Sequence, residues 1–304
     1  MVQWRYIDLP LWEADNMDKM DLGLVLEGGA MRGLFTAGVL DVMMESDLVF
    51  DGCVGVSAGA AFGCNIKSHQ IGRVLRYNLN YCRDPRYCSL RSLLTTGDLF
   101  GAKFCYDDLP NTLDPFDSEI YNSNPMAFYA VCTDVDTGKA IYPRCDHAGP
   151  ETFSYIQASA SMPFVSRPVS IGGMTLLDGG IADPIPLQFF QEKGYRKNVV
   201  VLTQPGDYIK SPVPSSVRML LLRYPKVAET MIRRHLIYKE EQELATEAER
   251  RGDAFVIRPE SPLPIGRVEH DPDVIRQTYD LGRRAAESRL EELTRFVSQA
   301  RENS

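Results

Sequence analysis

Residues 52–63 read GCVGVSAGAAFG, so Gly55, Ser57 and Gly59 form G-x-S-x-G, one small hydroxyl held between two glycines. A serine there can serve as a nucleophile if it stands on a sharp strand-to-helix turn, which lifts its hydroxyl clear of the sheet. With 23 glycines in 304 residues, the pattern arises by accident in roughly one chain in ten of this length. The motif alone therefore leaves open a second reading, a glycine-rich turn that lets a helix pack closely.

Gly28-Gly29-Ala30-Met31-Arg32-Gly33 is a second candidate, again expected between a strand and a helix. Consecutive glycines free backbone N–H groups to point into a shared space, as an oxyanion hole or a phosphate cradle requires. The phosphate reading is the weaker one, because the loop lacks both the G-K-[ST] ending and the G-x-G-x-x-G pattern. Arg32 reads either as part of that site or as an ordinary surface ion pair.

A nucleophilic serine needs a base, and the usual one is histidine. His69, His147, His235 and His270 all lie in polar or charged surroundings without a motif, His147 in CDHAG being the least easily dismissed. Asp178 stands instead in LLDGG, where two following glycines let the chain turn around a fixed carboxylate. Taken alone, it also fits a turn-forming aspartate.

Those residues need elements to hold them. Leu22–Leu26 reads as a buried strand, residues 34–46 as a helix, Val49–Val56 as a second strand, and the stretch from Ser57 onward as a second helix, a unit that implies a parallel sheet. The carboxyl ends of parallel neighbours open onto one crevice, which would bring the glycine loop and Ser57 together. Met126–Asp134 with Lys139–Tyr142, and Val169–Ile171 with Met174–Leu177, read as antiparallel pairs, the latter delivering Asp178 at a strand end. Residues 158–161 end a helix before Pro163, and Asn198–Thr203 and Ala254–Arg258 are further strands. Residues 216–251 and 273–302 are expected to be helical, the latter as one long amphipathic helix. Residues 74–115 show no clean period and are read as irregular helices and loops, with a lid as one reading. No repeat or linker appears. One domain over 1–304 is expected, with a motif core at 22–203 and a helical C-terminal extension at 216–304.

Composition bounds the function. Lys and Arg number 33 against 41 Asp and Glu, giving a net charge of -8, which argues against a nucleic-acid partner. Seven cysteines without a C-x-x-C pair suit reduced thiols in a cytosol. No metal-ligand motif is present and no cofactor is implied. The N-terminal residues MVQWRYIDLPLWEADNMDKMD carry acids throughout and lack the layout of a secretory signal, and no apolar run is long enough to span a membrane. Val217–Val227 combines leucines with Arg218, Arg223 and Lys226, which reads as a buried helix with solvated ends or as a peripheral contact with an anionic membrane surface.

With GGAMRG, GVSAG and LLDGG in that order, the sequence resembles the patatin-like phospholipases, over about Leu22 to Pro186. Ala158–Pro163 (ASASMP) is similar to that family's A-S-x-A-x-P segment. The resemblance implies a three-layer α/β/α fold, with a mostly parallel central sheet flanked by helices. It also implies a Ser57–Asp178 dyad hydrolysing acyl lipids without histidine, metal or cofactor. Gly28, Gly29, Ala30, Arg32 and Gly33 would form the oxyanion hole, and Gly55 and Gly59 the nucleophile elbow. Two positions depart from the family: Ala30 replaces a glycine, and Asp183 stands where asparagine is expected. An aspartate at its ordinary pKa near 3.9 is a poor base at neutral pH, so an occluded Asp178 is expected. The competing readings are a soluble carboxylesterase or thioesterase on the same dyad, a triad hydrolase using His147 or His235, and a silent lipid-binding protein. A cytoplasmic location, peripheral to the inner membrane face, completes the expectation.

Overall fold

The computed structural model describes residues 21–302; the reading of the N-terminal arm as free of a signal lies outside them. Three consecutive strands, β1 (Leu22–Leu26), β2 (Gly52–Val56) and β3 (Ala127–Asp134), run parallel at the centre of one sheet. β4 (Ala140–Ile141), β5 (Val169–Ile171) and β6 (Met174–Asp178) add antiparallel pairings on the β3 side. β7 (Lys197–Val201) and β8 (Ala254–Ile257) extend the parallel part beyond β1. The eight strands lie in the order β5-β6-β3-β2-β1-β7-β8, with β4 paired to β3.

Side-chain alternation explains the layers. Leu22, Leu24, Leu26, Phe128, Ala130, Val199 and Val201 belong to one core, Val25, Tyr129, Val131, Val200 and Val256 to another. Both faces are apolar, as a parallel sheet requires, so helices must cover both. On the first face lie α1 (Gly33–Glu45), α2 (Ala58–Lys67) and α6 (Pro150–Ser159); α7 (Leu187–Glu192) and α9 (Pro225–Arg251) cover the second. The result is the three-layer α/β/α arrangement.

Three expectations need correction, and the reading of residues 74–115 as irregular helices and loops is made specific. The strand expected from Val49 begins only at Gly52, because the Asp51 carboxylate is turned back onto the start of β1, accepting the N–H groups of Asp21 and Leu22 at 3.1 and 2.9 Å. Residues 74–115 are largely helical: α3 (Arg73–Tyr81), α4 (Leu90–Thr96) and a π-helix over Phe104–Leu113, followed by α5 (Ser118–Ser123). Pro110 inside the π-helix has no N–H to give, and it obscures the helical pattern in the sequence. The helix expected over 216–251 is broken, with α8 (Val217–Leu220) stopping before α9 starts at Pro225. The long C-terminal helix is two, α10 (Pro272–Glu287) and α11 (Leu290–Glu302). Arg289 between them bonds the Val256 carbonyl at 2.8 Å and stacks 4.1 Å from the Phe255 ring, which anchors the break to β8 and lets Leu293, Val297 and Ala300 of α11 reach the core.

Candidate active site

Ser57 ends the turn between β2 and α2 with φ 55 and ψ -118, a left-handed conformation that a serine adopts only where its surroundings enforce it. The turn is tight because a Cβ on Gly59 would stand 2.5 Å from the Leu26 carbonyl and 2.9 Å from that of Glu27, so only glycine lets α2 come so close to the end of β1. The Ser57 N–H donates to Ser159 Oγ at 2.9 Å, at the end of α6. Ser57 remains partly exposed and opens into a cavity of about 470 Å³.

The glycine loop meets it there. A Cβ on Gly28 would lie 3.1 Å from the Ser57 Cβ, and Gly28, Gly29, Ala30 and Arg32 all line the cavity. Among the described residues the N–H groups of Gly28 and Gly29 have no acceptor, so both stay available to a ligand. Ala30 begins a short 3-10 turn at φ 50, which explains the usual glycine at that position. Gly33 opens α1, and a Cβ on it would fall 2.7 Å from that of Ala58.

Asp178 ends β6, is only 2% exposed and lines the same cavity. Its Oδ1 accepts the Gly180 N–H at 2.8 Å, its own N–H donates to the Ser161 carbonyl at 2.9 Å, and Thr133 Oγ1 donates to its carbonyl at 2.8 Å. The segment Ala158–Pro163 thus holds both partners, Ser57 through Ser159 and Asp178 through Ser161. Burial pushes the Asp178 carboxyl up to about 6, opposed first by the Ser57 hydroxyl beside it, then by the Arg234 charge, the Gly180 N–H and Arg267. At neutral pH it is ionised yet basic enough to take a proton.

No histidine lines the cavity among the described residues: His235 faces the Ile232 carbonyl at 3.0 Å and His270 the Cys82 carbonyl at 2.5 Å. Another part of the cavity wall is aromatic: Tyr77 and Phe100 come from the stretch read as irregular, Phe62 from α2, Phe116 from the segment before α5, and Phe153 from α6. No group of three or more His, Cys, Asp or Glu side chains that could hold a metal occurs among the described residues.

The sequence reading missed the residues that come to the site from far along the chain. Glu27 is buried at the root of the glycine loop, where Oε2 accepts the Thr203 N–H at 2.6 Å and Oε1 the Tyr238 hydroxyl at 2.8 Å, while Thr203 Oγ1 donates to the Gly28 carbonyl at 3.1 Å. It therefore fixes where the loop starts relative to β7 and α9. Its signal was present, a charged residue closing the apolar run LGLVL. Lys210, Arg234 and Arg267 also line the cavity and carried no motif.

Asp183 does not touch Asp178. Its Oδ2 accepts the Tyr142 hydroxyl at 2.6 Å, and its carboxyl hydrogen-bonds that of Glu241, which also accepts the Ile185 N–H at 2.8 Å. Burial raises the proton affinity of both carboxyls, so the pair holds a shared proton that an asparagine amide would replace permanently. Both folded pKa values lie above their unfolded ones. The pair's stabilisation is therefore complete below the ordinary carboxyl range and is lost as pH rises through the folded values. Asp183→Asn is expected to raise Tm relative to the parent more at pH 8 than at pH 5 in thermal melts, because the stabilisation is only partly lost at pH 5; an equal change at both pH values would contradict the shared proton.

The α/β/α sheet thus brings a strained serine at a strand-helix turn, free N–H groups beside it and a buried aspartate around one cavity. The patatin-like phospholipase model matches residues 24–190, over half of the chain, and the protein belongs to that family. A second model, described as a domain of unknown function, matches residues 224–298. The uncharacterised Escherichia coli protein YjjU is 28% identical over 282 residues, 86% of this chain and 75% of its own. An uncharacterised NTE family protein of Mycobacterium tuberculosis is 28% identical over 170 residues, 55% of this chain and 44% of its own. The lysophospholipase NTE1 of Cryptococcus neoformans is 26% identical over 204 residues, 62% of this chain but only 12% of its own length.

Proposed function

We propose that the protein is a serine hydrolase of acyl lipids, with Ser57 as nucleophile and Asp178 as its base. The observation that carries this is a buried aspartate of raised proton affinity facing a strained serine, with no histidine on the cavity wall among the described residues. Ser57 Oγ attacks the ester carbonyl and Asp178 takes the hydroxyl proton, while the N–H groups of Gly28 and Gly29 hold the oxyanion. Collapse breaks the ester C–O bond and Asp178 returns the proton to the leaving alcohol. A water, deprotonated by Asp178, then attacks the acyl-serine, and the fatty acid is released as Asp178 returns that proton to Ser57 Oγ. The relatives named as lipases support acyl lipids as the substrate class.

A fluorophosphonate probe should label Ser57 covalently in the intact protein, with the modified residue read by mass spectrometry. An unreactive Ser57 would point to the silent lipid-binding reading instead.

The proposal extends to one structural unit, since β8 from the C-terminal part pairs with β7 and completes the sheet. It includes a cytoplasmic setting, consistent with seven free cysteines. No helix among the described residues is long and apolar enough to cross a membrane. Met219 in α8 and Leu222 just after it are 70% and 76% exposed, while Val217, Leu221 and Val227 are buried. We propose that the two exposed side chains and neighbouring Arg223 touch lipid surfaces. Flotation is expected to recover the protein with anionic vesicles and less of it after Met219→Ser with Leu222→Ser; equal recovery of both proteins would contradict the contact.

A further inference from the structure

In a chain of net charge -8, four cations, Arg32, Lys210, Arg234 and Arg267, converge on one cavity from the glycine loop, the segment after β7, α9 and the loop before α10. Among the described residues none of the four has a carboxylate within ion-pair distance. Arg32 Nε is buried without any partner, Arg234 gives only its Nε–H, to the Gly180 carbonyl, and Lys210 Nζ sits 4.3 Å from the Tyr238 ring and 5.8 Å from that of Tyr208. Arg73, also on the cavity wall, shows the contrast: it is tied to Asp114 at 3.3 Å and to Asn65 at 2.9 Å.

The four are close neighbours. Burial first, then Arg234, with smaller contributions from Arg32 and Arg267, pulls Lys210 down to about 8, while Glu27 alone works the other way. Two carboxylates face this cluster, and both are engaged, Glu27 by Thr203 and Tyr238 and Asp178 by Gly180 and the serine. The third carboxylate of the cavity wall, Asp98, takes the Arg167 N–H and lies near Cys105 of the π-helix. Arg32, Lys210 and Arg234 are half-buried and Arg267 stands exposed beside them, so against two carboxylates the site carries an excess of positive charge that is only partly hydrated and costly unless an anion enters.

Arg234 and Arg267 act on Asp178 directly, so that anion would sit beside the scissile ester, with the aromatic wall left for the acyl chain. A zwitterionic head group would bring an ammonium into a field of cations. The Tyr208 and Tyr238 faces that could receive it are covered by Lys210.

We infer that Lys210, Arg234 and Arg267, with Arg32, form a phosphate-binding subsite that selects acyl esters carrying a phosphomonoester close to the ester bond over zwitterionic and neutral ones. Guanidinium forks and an ammonium suit a phosphate dianion with several acceptor oxygens. The inference rests on the acyl-hydrolase reading.

The test compares kcat/KM for three substrates of one acyl chain: a 1-acylglycerol 3-phosphate, its choline phosphodiester and the neutral 1-acylglycerol. The phosphomonoester is expected to lead by at least tenfold. Arg267→Ala and Lys210→Ala are each expected to reduce that preference by at least tenfold, mainly through KM, with Arg267→Lys retaining part of it. Inorganic phosphate distinguishes the sources: inhibition by phosphate with no preference among the lipids would overturn a lipid-borne ligand. Hydrolysis of all three esters at similar rates, or a preference unchanged in both alanine variants, would overturn the subsite while leaving the hydrolase standing. Failure to hydrolyse any of them would overturn both.

Discussion

Ser57→Ala is expected to lower kcat/KM for ester hydrolysis by on the order of 100,000-fold or more, since no acyl-enzyme can form and only the oxyanion donors and the pocket remain. The loss should be chemical and not structural. Ser57 contacts Ser159 through its backbone N–H, which alanine keeps, and alanine inherits the same left-handed φ, so Tm should stay within a few degrees of the parent. Steady-state rates beside a thermal melt decide the matter. Activity within a hundredfold of the parent, in a folded variant, would mean that another group attacks the ester.

Asp178→Asn should be almost as severe, lowering kcat/KM by on the order of 1,000- to 10,000-fold, because the amide keeps the Gly180 contact but cannot take a proton. Stability should move the other way. The folded carboxyl sits at about 6, above its unfolded value, so the stabilisation it gives is complete at pH values below the ordinary carboxyl range and disappears as pH rises through 6. Above that the ionised, fully buried group costs the fold on the order of 3 kcal/mol, the difference between about 6 and 3.8 converted to free energy. The asparagine variant should therefore gain in melting temperature over the parent as pH rises, by clearly more at pH 8 than at pH 4.5. Lower melting at pH 8 would show that the ionised carboxylate is held by partners strong enough to outweigh its burial.

These two results describe one trade: the burial that makes Asp178 a usable base is the burial that strains the fold around it. Ser161, Thr133 and Gly180 bind the backbone and one oxygen of Asp178, and together they keep the carboxylate from turning away to solvent.

The sequence carried the parts of this site that depend on local geometry. GVSAG, GGAMRG and LLDGG are each a strand end followed by small residues, and a turn that must be tight leaves a mark in residue type. The central strands were equally legible, because β1 and β7 are short apolar runs buried on both faces. What depends on distant segments meeting was not legible. Glu27, Thr203 and Tyr238 lie far apart in sequence and form one cluster only because β1 and β7 are adjacent and α9 crosses behind them. Lys210, Arg234 and Arg267 look like surface charges in a chain rich in charge. Their meaning arises from a shared cavity and missing carboxylate partners. The π-helix was hidden for another reason: Pro110 and the wide winding around it break the period that marks a helix. The split at Arg289 was hidden likewise, since the amphipathic pattern continues across it while the side chain turns in to β8.

The claim at the centre is that Asp178 alone activates Ser57, and the rate of covalent labelling by a fluorophosphonate, followed against pH, tests it most directly. The parent rate is expected to climb about tenfold per pH unit up to an inflection near 6 and then level off. The label should fall on Ser57, and Asp178→Asn should be at least 1,000-fold slower with no inflection there. Labelling of Asp178→Asn at the parent rate, or an inflection near 6 that survives the substitution, would contradict the dyad.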